Sequence, residues 1–524
     1  MTAQEDDKPG DSGPTLVRAG QVILGVDDRG EAEVIEDGAV LIRSGTIAEV
    51  GFYRDLASRH RVGTVLGSEG HVVCPGFVNA HHHVGLTPLQ LGSPDLPLEL
   101  WIVRRLASRQ VDPYLDTLYS AFELLGSGVT TVQHLHGRTP RPVERIVEVA
   151  GQVIRAYEDI GMRVSYSYGL RDQNRVVYED DATFLRRLPP ELAGLAGDLL
   201  AEQTLDVGES LAVFEALHRL HRDKDRVAIQ LAPVNLHWCS DTAIERTAET
   251  ARRHGVPMHM HLLETALQKQ YAHRRTGGSP VAHLHRLGVL GPDMTLGHGV
   301  WLTQADIELL ASTGTCLCHN CSSNLRLRSG IAPINECRRH GIRIALGIDE
   351  AGINDDRDML QEMRMALRLH REPGLVEAEV PSPAEVLRMA SENGAMTTPF
   401  GRRIGRLDPG RAADMVIFDW RRVSAPFLSD DVPVTDALVQ RARPADIHAV
   451  LVGGEVVLEE GRFLRVDRDA AMTELARQMR ALPNAIETRN RALGLSLLAE
   501  ARRFYDGYLD GERRTPFYRS NSTG

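Results

Sequence analysis

Two histidines separated by one residue, His81 and His83, end an apolar run that passes through Pro75-Gly76. On a strand, positions i and i+2 share a face, so these imidazoles point together and His82 points the other way. Paired imidazoles are a metal-ligand spacing, but alone they are a weak signal. Three later runs strengthen it. His261 ends one, with Glu264 three residues beyond it; His298 ends another, and Asp349 a third. His81, His83, His261 and Asp349 offer three nitrogens and one carboxylate, a set suited to Zn²⁺ or Fe²⁺ with a position left open for water.

Residues so far apart in the chain meet only if a regular scaffold brings strand ends together. Eight short apolar runs alternate with helical stretches: 71–83, 129–137, 162–171, 226–235, 256–264, 294–300, 314–320 and 343–350. Strands alternating with helices imply a parallel sheet, and eight such units predict an α/β fold of the (β/α)8, or TIM, barrel type. In nearly every run the polar residue falls at the C-terminal end, the face on which such barrels carry their active sites. The texture differs on either side. Residues 15–70 and 408–466 alternate apolar and polar positions between Gly- and Asp-rich turns, which predicts one small composite β-sandwich made from both regions. The barrel then occupies 71–407, residues 1–14 read as a disordered lead, and 467–524 as a helical extension. The segment from Arg171 to about Leu220 is a long connection placed to act as a lid or substrate loop.

Bulk properties narrow the partners. The 524-residue chain carries a net charge of −11, which disfavours nucleic acid and anionic membrane. No apolar run approaches the ~20 residues of a membrane span, and the acidic start is unlike a secretory signal. Six cysteines in this length do not make a disulfide framework, so a cytoplasmic protein with reduced thiols is expected. A homo-oligomer of a dimer or higher order is expected too, with a small molecule as substrate.

At this point the chain resembles the amidohydrolase superfamily, in its aromatic deaminase and s-triazine hydrolase branch. "PGFVNAHHH", "HMHLLET", "GHGVWLT", "SSNLRLRSGIAPI", "LGIDEAGINDDRDMLQEMR" and "GRLDPGRAADMVIFD" stand in the expected order over nearly the whole chain to about residue 465. The resemblance implies one metal on His81, His83, His261 and Asp349, and catalytic roles for Asp349, Glu264 and His298. Asp349 is suited to take a proton from the attacking water. His298 can hold that water or polarise a forming oxyanion. Glu264 is placed to protonate a ring nitrogen, which argues for an N-heteroaromatic substrate. Many two-metal members bridge their ions with a modified lysine; here Lys8, Lys224 and Lys269 are the only lysines, and none sits at a strand end. One divalent ion per chain is expected, Zn²⁺ first and Fe²⁺ second.

Other polar residues have plainer readings. His82 reads as structural and His259 as buried beside His261. Gln133, His134 and His136 could line the pocket, as could Gln90 and Trp101 after the first strand. Arg171, Asn235, His237 and Trp238 are candidate substrate contacts after the third and fourth. The Cys318–Cys321 pair has no second CxxC to complete a zinc ribbon and reads as structural, with His319 a possible partner to the site. Two positions depart from the family pattern: Glu350 replaces a small residue after Asp349, and Asn320-Cys321 stands where Cys-Pro is usual. The reading that follows is hydrolytic release of ammonia from a purine-, pterin- or triazine-like ring. The alternatives are expulsion of chloride or an alkylamine, or opening of a cyclic amide. A non-catalytic scaffold would have lost ligands, and all four are present.

Overall fold

The computed structural model describes residues 13–83, 85–137 and 139–511, together with Phe517. The polar lead lies, up to residue 12, outside the described residues. The chain opens with β1 (Thr15–Val26), β2 (Ala32–Arg43), β3 (Thr46–Phe52) and β4 (Thr64–Pro75). Then come β5 (Phe77–His82), β6 (Val129–His136), β7 (Arg163–Leu170), β8 (Val227–Ile229) and β9 (Ala232–Pro233). They are followed by β10 (Met258–Leu262), β11 (Met294–His298), β12 (Cys316–His319) and β13 (Ile344–Leu346). The last strands are β14 (Met415–Asp419), β15 (Ile447–Val452), β16 (Glu455–Glu459) and β17 (Arg462–Phe463).

Strands β5 to β8 pair in parallel in chain order, as do β10 to β13, with helices between them. Single parallel bridges close the ring: Leu231 with Met258 and Asn235 with His261 on one side, His82 with Asp349 on the other. This is the expected (β/α)8 barrel. Its interior is filled by small side chains, such as the layer of Ala80, Cys316, Cys318 and Ala345, while Val132 and Val164 pack outward with Ile146, Val153 and Tyr157 of the helix Val143–Ile160.

The run 71–83, read from the sequence as one strand, is two. β4 stays in register with β14 as far as Pro75, and the chain enters the barrel only after Gly76. A Cβ at Gly76 would stand 2.3 Å from Thr130 Oγ1, so only glycine lets the backbone pass there. The expected sandwich is a single eight-stranded mixed sheet, ordered β17-β16-β15-β14-β4-β1-β2-β3. It curls because the β2–β3 turn folds back on the other half: Ile47 N–H donates to Arg411 O, and Ala413 N–H to Gly45 O. Val17, Val40, Ile47 and Val73 thereby share one core with Met415, Ile417 and Leu451.

Beside the barrel mouth lies a helical cap. The helix Leu98–Arg104 follows β5, and the helices Asp181–Leu185 and Pro190–Gln203 follow β7. They pack with the helix Ala485–Tyr505 through Val103, Val177, Phe184, Leu199, Leu493 and Leu497. The joint is tight, since a Cβ on Gly494 would meet Ala107 N at 2.8 Å. Among the described residues no helix is long and apolar enough to cross a membrane.

Candidate active site

The ends of β5, β10 and β13 bring four donor groups to one point. His81 and His83 Nε2 lie 3.1 Å apart, and His83 and His261 Nε2 also 3.1 Å. Asp349 Oδ1 is 3.2 Å from His83 Nε2 and 3.6 Å from His81 Nε2. Each ring is turned by a bond at its other nitrogen. His83 Nδ1–H donates to Leu135 O at 2.8 Å, and His261 Nδ1–H to Val234 O at 2.7 Å. His81 Nδ1 meets His259 Nε2 at 2.8 Å, so His259 is the residue that orients His81. These bonds select the tautomer whose Nε2 lone pair faces the common point, as in sites that bind a cation. Burial, followed by repulsion from neighbouring rings, holds His81 and His261 well below the usual imidazole range and therefore neutral. Neutral imidazoles and a carboxylate converging on one point form a donor set that fits a divalent cation.

Backbone strain marks the same place. Leu263, His298 and Asp349 have φ of 52°, 74° and 65°, left-handed values that non-glycine residues rarely adopt. The bend after β13 is pinned by Asp349 N–H, which donates to His81 O at 2.8 Å. It leaves the two carboxylate oxygens different tasks: Oδ1 faces the histidines, while Oδ2 accepts from Ser323 Oγ at 2.5 Å. His298 Nδ1–H donates to Asn324 Oδ1 at 2.9 Å, which makes its Nε2 an acceptor, and Asn320 Nδ2 lies 3.3 Å from that nitrogen. That nitrogen stands 3.7 Å from Glu264 Oε2 and 3.9 Å from Asp349 Oδ2. These gaps are too long for direct hydrogen bonds and short enough for one atom between them to reach all three groups.

Glu264 is buried, and burial pushes its carboxyl well above the usual range, with the nearby Asp349 and Glu99 charges adding to the effect. The fold thus favours the protonated acid. Its backbone N–H is held by Gln268 Oε1 at 2.8 Å, and Ser329 Oγ lies 3.5 Å from its Oε1. Behind it, Thr265 Oγ1 donates to the buried Glu99, which also accepts from Tyr178 OH at 2.9 Å. This link ties the end of β10 to the cap.

One cavity holds His83, His261, Glu264, His298 and Asp349 together with Trp101, Arg105, Arg171, Asn235 and Trp238. Four expected contacts do not line it. Gln90 is on the surface, bonded to Thr87 N and Tyr119 OH, because its turn faces away from the mouth. Gln133 points into the barrel one layer below and bonds Ser167 Oγ. His134 is turned toward the outer helices, with Nδ1 2.9 Å from Tyr157 OH, and His136 reaches the cavity instead. His237 is buried under Tyr178, ring centroids 4.1 Å apart. His82 faces Ser120, away from the donors. His319 pairs with His370 Nε2 at 2.8 Å behind β12 and does not reach the site. Sequence reasoning gave Ser323 and Asn324 no role beyond their place in the stretch "SSNLRLRSGIAPI". Their position directly after the seventh barrel strand was the available signal.

Comparison with known proteins agrees with this architecture. The family model described as "Amidohydrolase family" matches residues 72–457. A 5-methylthioadenosine/S-adenosylhomocysteine deaminase of Syntrophobacter fumaroxidans is 30% identical over 468 residues, covering 88% of this chain and 97% of the relative. The zinc-bound structure of an adenosine deaminase from Xanthomonas campestris superposes with a TM-score of 0.74 at 26% identity, over 91% of this chain and 98% of that one. An atrazine chlorohydrolase from Arthrobacter aurescens, complexed with zinc, shares the fold with a TM-score of 0.76 at 22% identity, over 88% and 99%. With its barrel, its strand-end donors and a family match spanning most of its length, the chain belongs to the amidohydrolase family.

Proposed function

We propose that this hydrolase is a metal-dependent deaminase that releases ammonia from an amino-substituted N-heteroaromatic ring of purine-, pterin- or triazine-like form. The observation that carries this reading is the Glu264 carboxyl, buried and pushed above its usual range by that burial, set beside His298 Nε2 and the cluster of His81, His83, His261 and Asp349. Ester or peptide hydrolysis offers no ring nitrogen for such an acid to protonate. His81, His83, His261 and Asp349 would hold one divalent ion per chain, Zn²⁺ before Fe²⁺, which when bound would supply Lewis acidity and a water of lowered pKa.

The remaining steps belong to the side chains. His298 Nε2 orients the water as acceptor, and Asp349 takes its proton. Glu264 donates its proton to the ring nitrogen next to the carbon under attack, which makes that carbon electrophilic. The water oxygen bonds to the carbon, Asp349 returns its proton to the departing nitrogen as the C–N bond to the exocyclic amine breaks, and the hydroxyl proton left on the new carbonyl passes to Glu264, restoring the acid. Trp101 and Trp238 on the cavity wall offer flat faces to a planar ring. The purine deaminases among the relatives support an aminated ring as substrate.

The test is an ammonia-release screen of zinc-loaded protein over aminopurines, pterins, aminopyrimidines and aminotriazines. Turnover of at least one class is expected. Silence on every aminated ring, with chloride released from a haloarene or a lactam opened, would move the leaving group to the alternative.

A further inference from the structure

The cavity wall carries two guanidinium groups, and only one is neutralised. Arg105 bonds to Glu350 and lies over the Trp101 ring, 4.7 Å from its centroid. Arg171, at the C-terminal end of β7, lies 5.8 Å from the Trp238 centroid. Among the described residues its side chain makes no hydrogen bond and no ion pair. The carboxylates near it are engaged elsewhere. Asp181 Oδ1 accepts from Arg175 N–H at 2.7 Å, and Asp172 accepts from Ser240 N–H and Oγ–H. Arg175 stands behind Arg171, donates to its backbone oxygen at 2.8 Å, and is pushed down to about 10 by burial and then by Arg171. Burial likewise lowers Arg171, while Asp181 attracts it only from beyond contact.

Arg171 is half-buried and lines the cavity, and a guanidinium that faces a binding cavity with no counter-charge in contact leaves its fork of donors for a ligand. The nucleophilic end of the cavity supplies no counter-charge, because its acids serve the donor cluster and the ring nitrogen. Resting on the deaminase reading, we propose that Arg171 is a specificity residue for a substrate whose heteroaromatic ring bears an acidic substituent, a carboxylate or a phosphate. Arg171 forks onto the acid while Trp238 stacks beneath the guanidinium. The planar five-donor group suits a bidentate acid where a lysine would not.

Matched pairs test this in the zinc-loaded, full-length protein. Pterin against pterin-6-carboxylate probes a carboxylate, and adenosine against adenosine 5′-monophosphate probes a phosphate. The acidic member of at least one pair is expected to have the higher kcat/KM. In Arg171→Met that ratio of acid to neutral falls by about 10–100-fold, and Arg171→Lys retains an intermediate ratio. A ratio unchanged in Arg171→Met, or neutral members preferred in both pairs, overturns the proposal. If no member yields ammonia, the deaminase reading fails, and the anion site is judged by binding alone. Fluorescence titration would then have to show pterin-6-carboxylate bound more tightly than pterin, with the difference lost in Arg171→Met; equal or absent binding overturns it.

Discussion

The two ends of the cavity are built on different principles. At the floor, every chemical group stands on a strand end, fixed by the barrel ladder, and each ligand ring has a partner at its second nitrogen. At the ceiling, the helix Leu98–Arg104, the segment after β7 and the helix Ala485–Tyr505 meet through apolar side chains, with few directional bonds. A floor of this kind holds positions to tenths of an ångström, which proton transfer requires. A ceiling of packed side chains can change shape without disturbing it. Under the deaminase reading, the chemistry falls to one end and the choice of substrate to the other.

Substitutions at the two ends should therefore fail differently. The largest effect is expected from Asp349→Asn, which removes the proton acceptor and a donor together: kcat falls by at least about 10³-fold, with the far-ultraviolet circular dichroism unchanged. Glu264→Gln should lower kcat by about 10²–10³-fold while metal content, read by atomic emission, stays at one per chain. Full activity in that variant would remove the ring-protonation step. Ser323→Ala frees Asp349 Oδ2 and should cost about tenfold in kcat or metal affinity. On the ceiling, Leu497→Ala should raise KM several-fold with kcat nearly constant and destabilise the cap by about 2–4 kcal/mol, visible as earlier proteolysis of the C-terminal helix. Loss of kcat there instead would erase the division of labour.

The smallest effect lies behind the floor, at Glu362, which accepts from Ser322 N–H at 3.0 Å and is pushed up to about 7, chiefly by burial. Because the fold holds this proton more tightly than the unfolded chain does, its stabilising share is complete below about pH 4.5. That share is lost as pH rises through about 7, with a slope of at most about 1.4 kcal/mol per pH unit. Glu362→Gln should flatten that slope in urea titrations between pH 5 and 7; an unchanged slope would place the pH dependence elsewhere.

The floor was legible in the sequence because strand periodicity and strand ends are local properties. His81 and His83 share a face by the period of two, and His261, His298 and Asp349 each close an apolar run. Depth and side were harder to read. Gln133 and His134 are adjacent in a strand, yet one points into the barrel and the other toward a helix, and a fully buried run has no polar face to settle which. The break at Gly76 was hidden because β4 and β5 are both apolar. The ceiling was nearly opaque, since it depends on pairings such as Arg105 with Glu350 and Tyr178 with Glu99, 245 and 79 residues apart. No local pattern announces those contacts.

The helix Ala485–Tyr505 also bears on how the molecule comes into being. Through Glu487 it reaches Arg109, 378 positions earlier, and its Gly494 seats against Ala107. During synthesis the barrel can therefore close and its strand-end donors gather while the ceiling over them is still unmade. Contacts of such long sequence separation form late and slowly. A newly made chain would thus gather its strand-end donors before the cap beside them has closed.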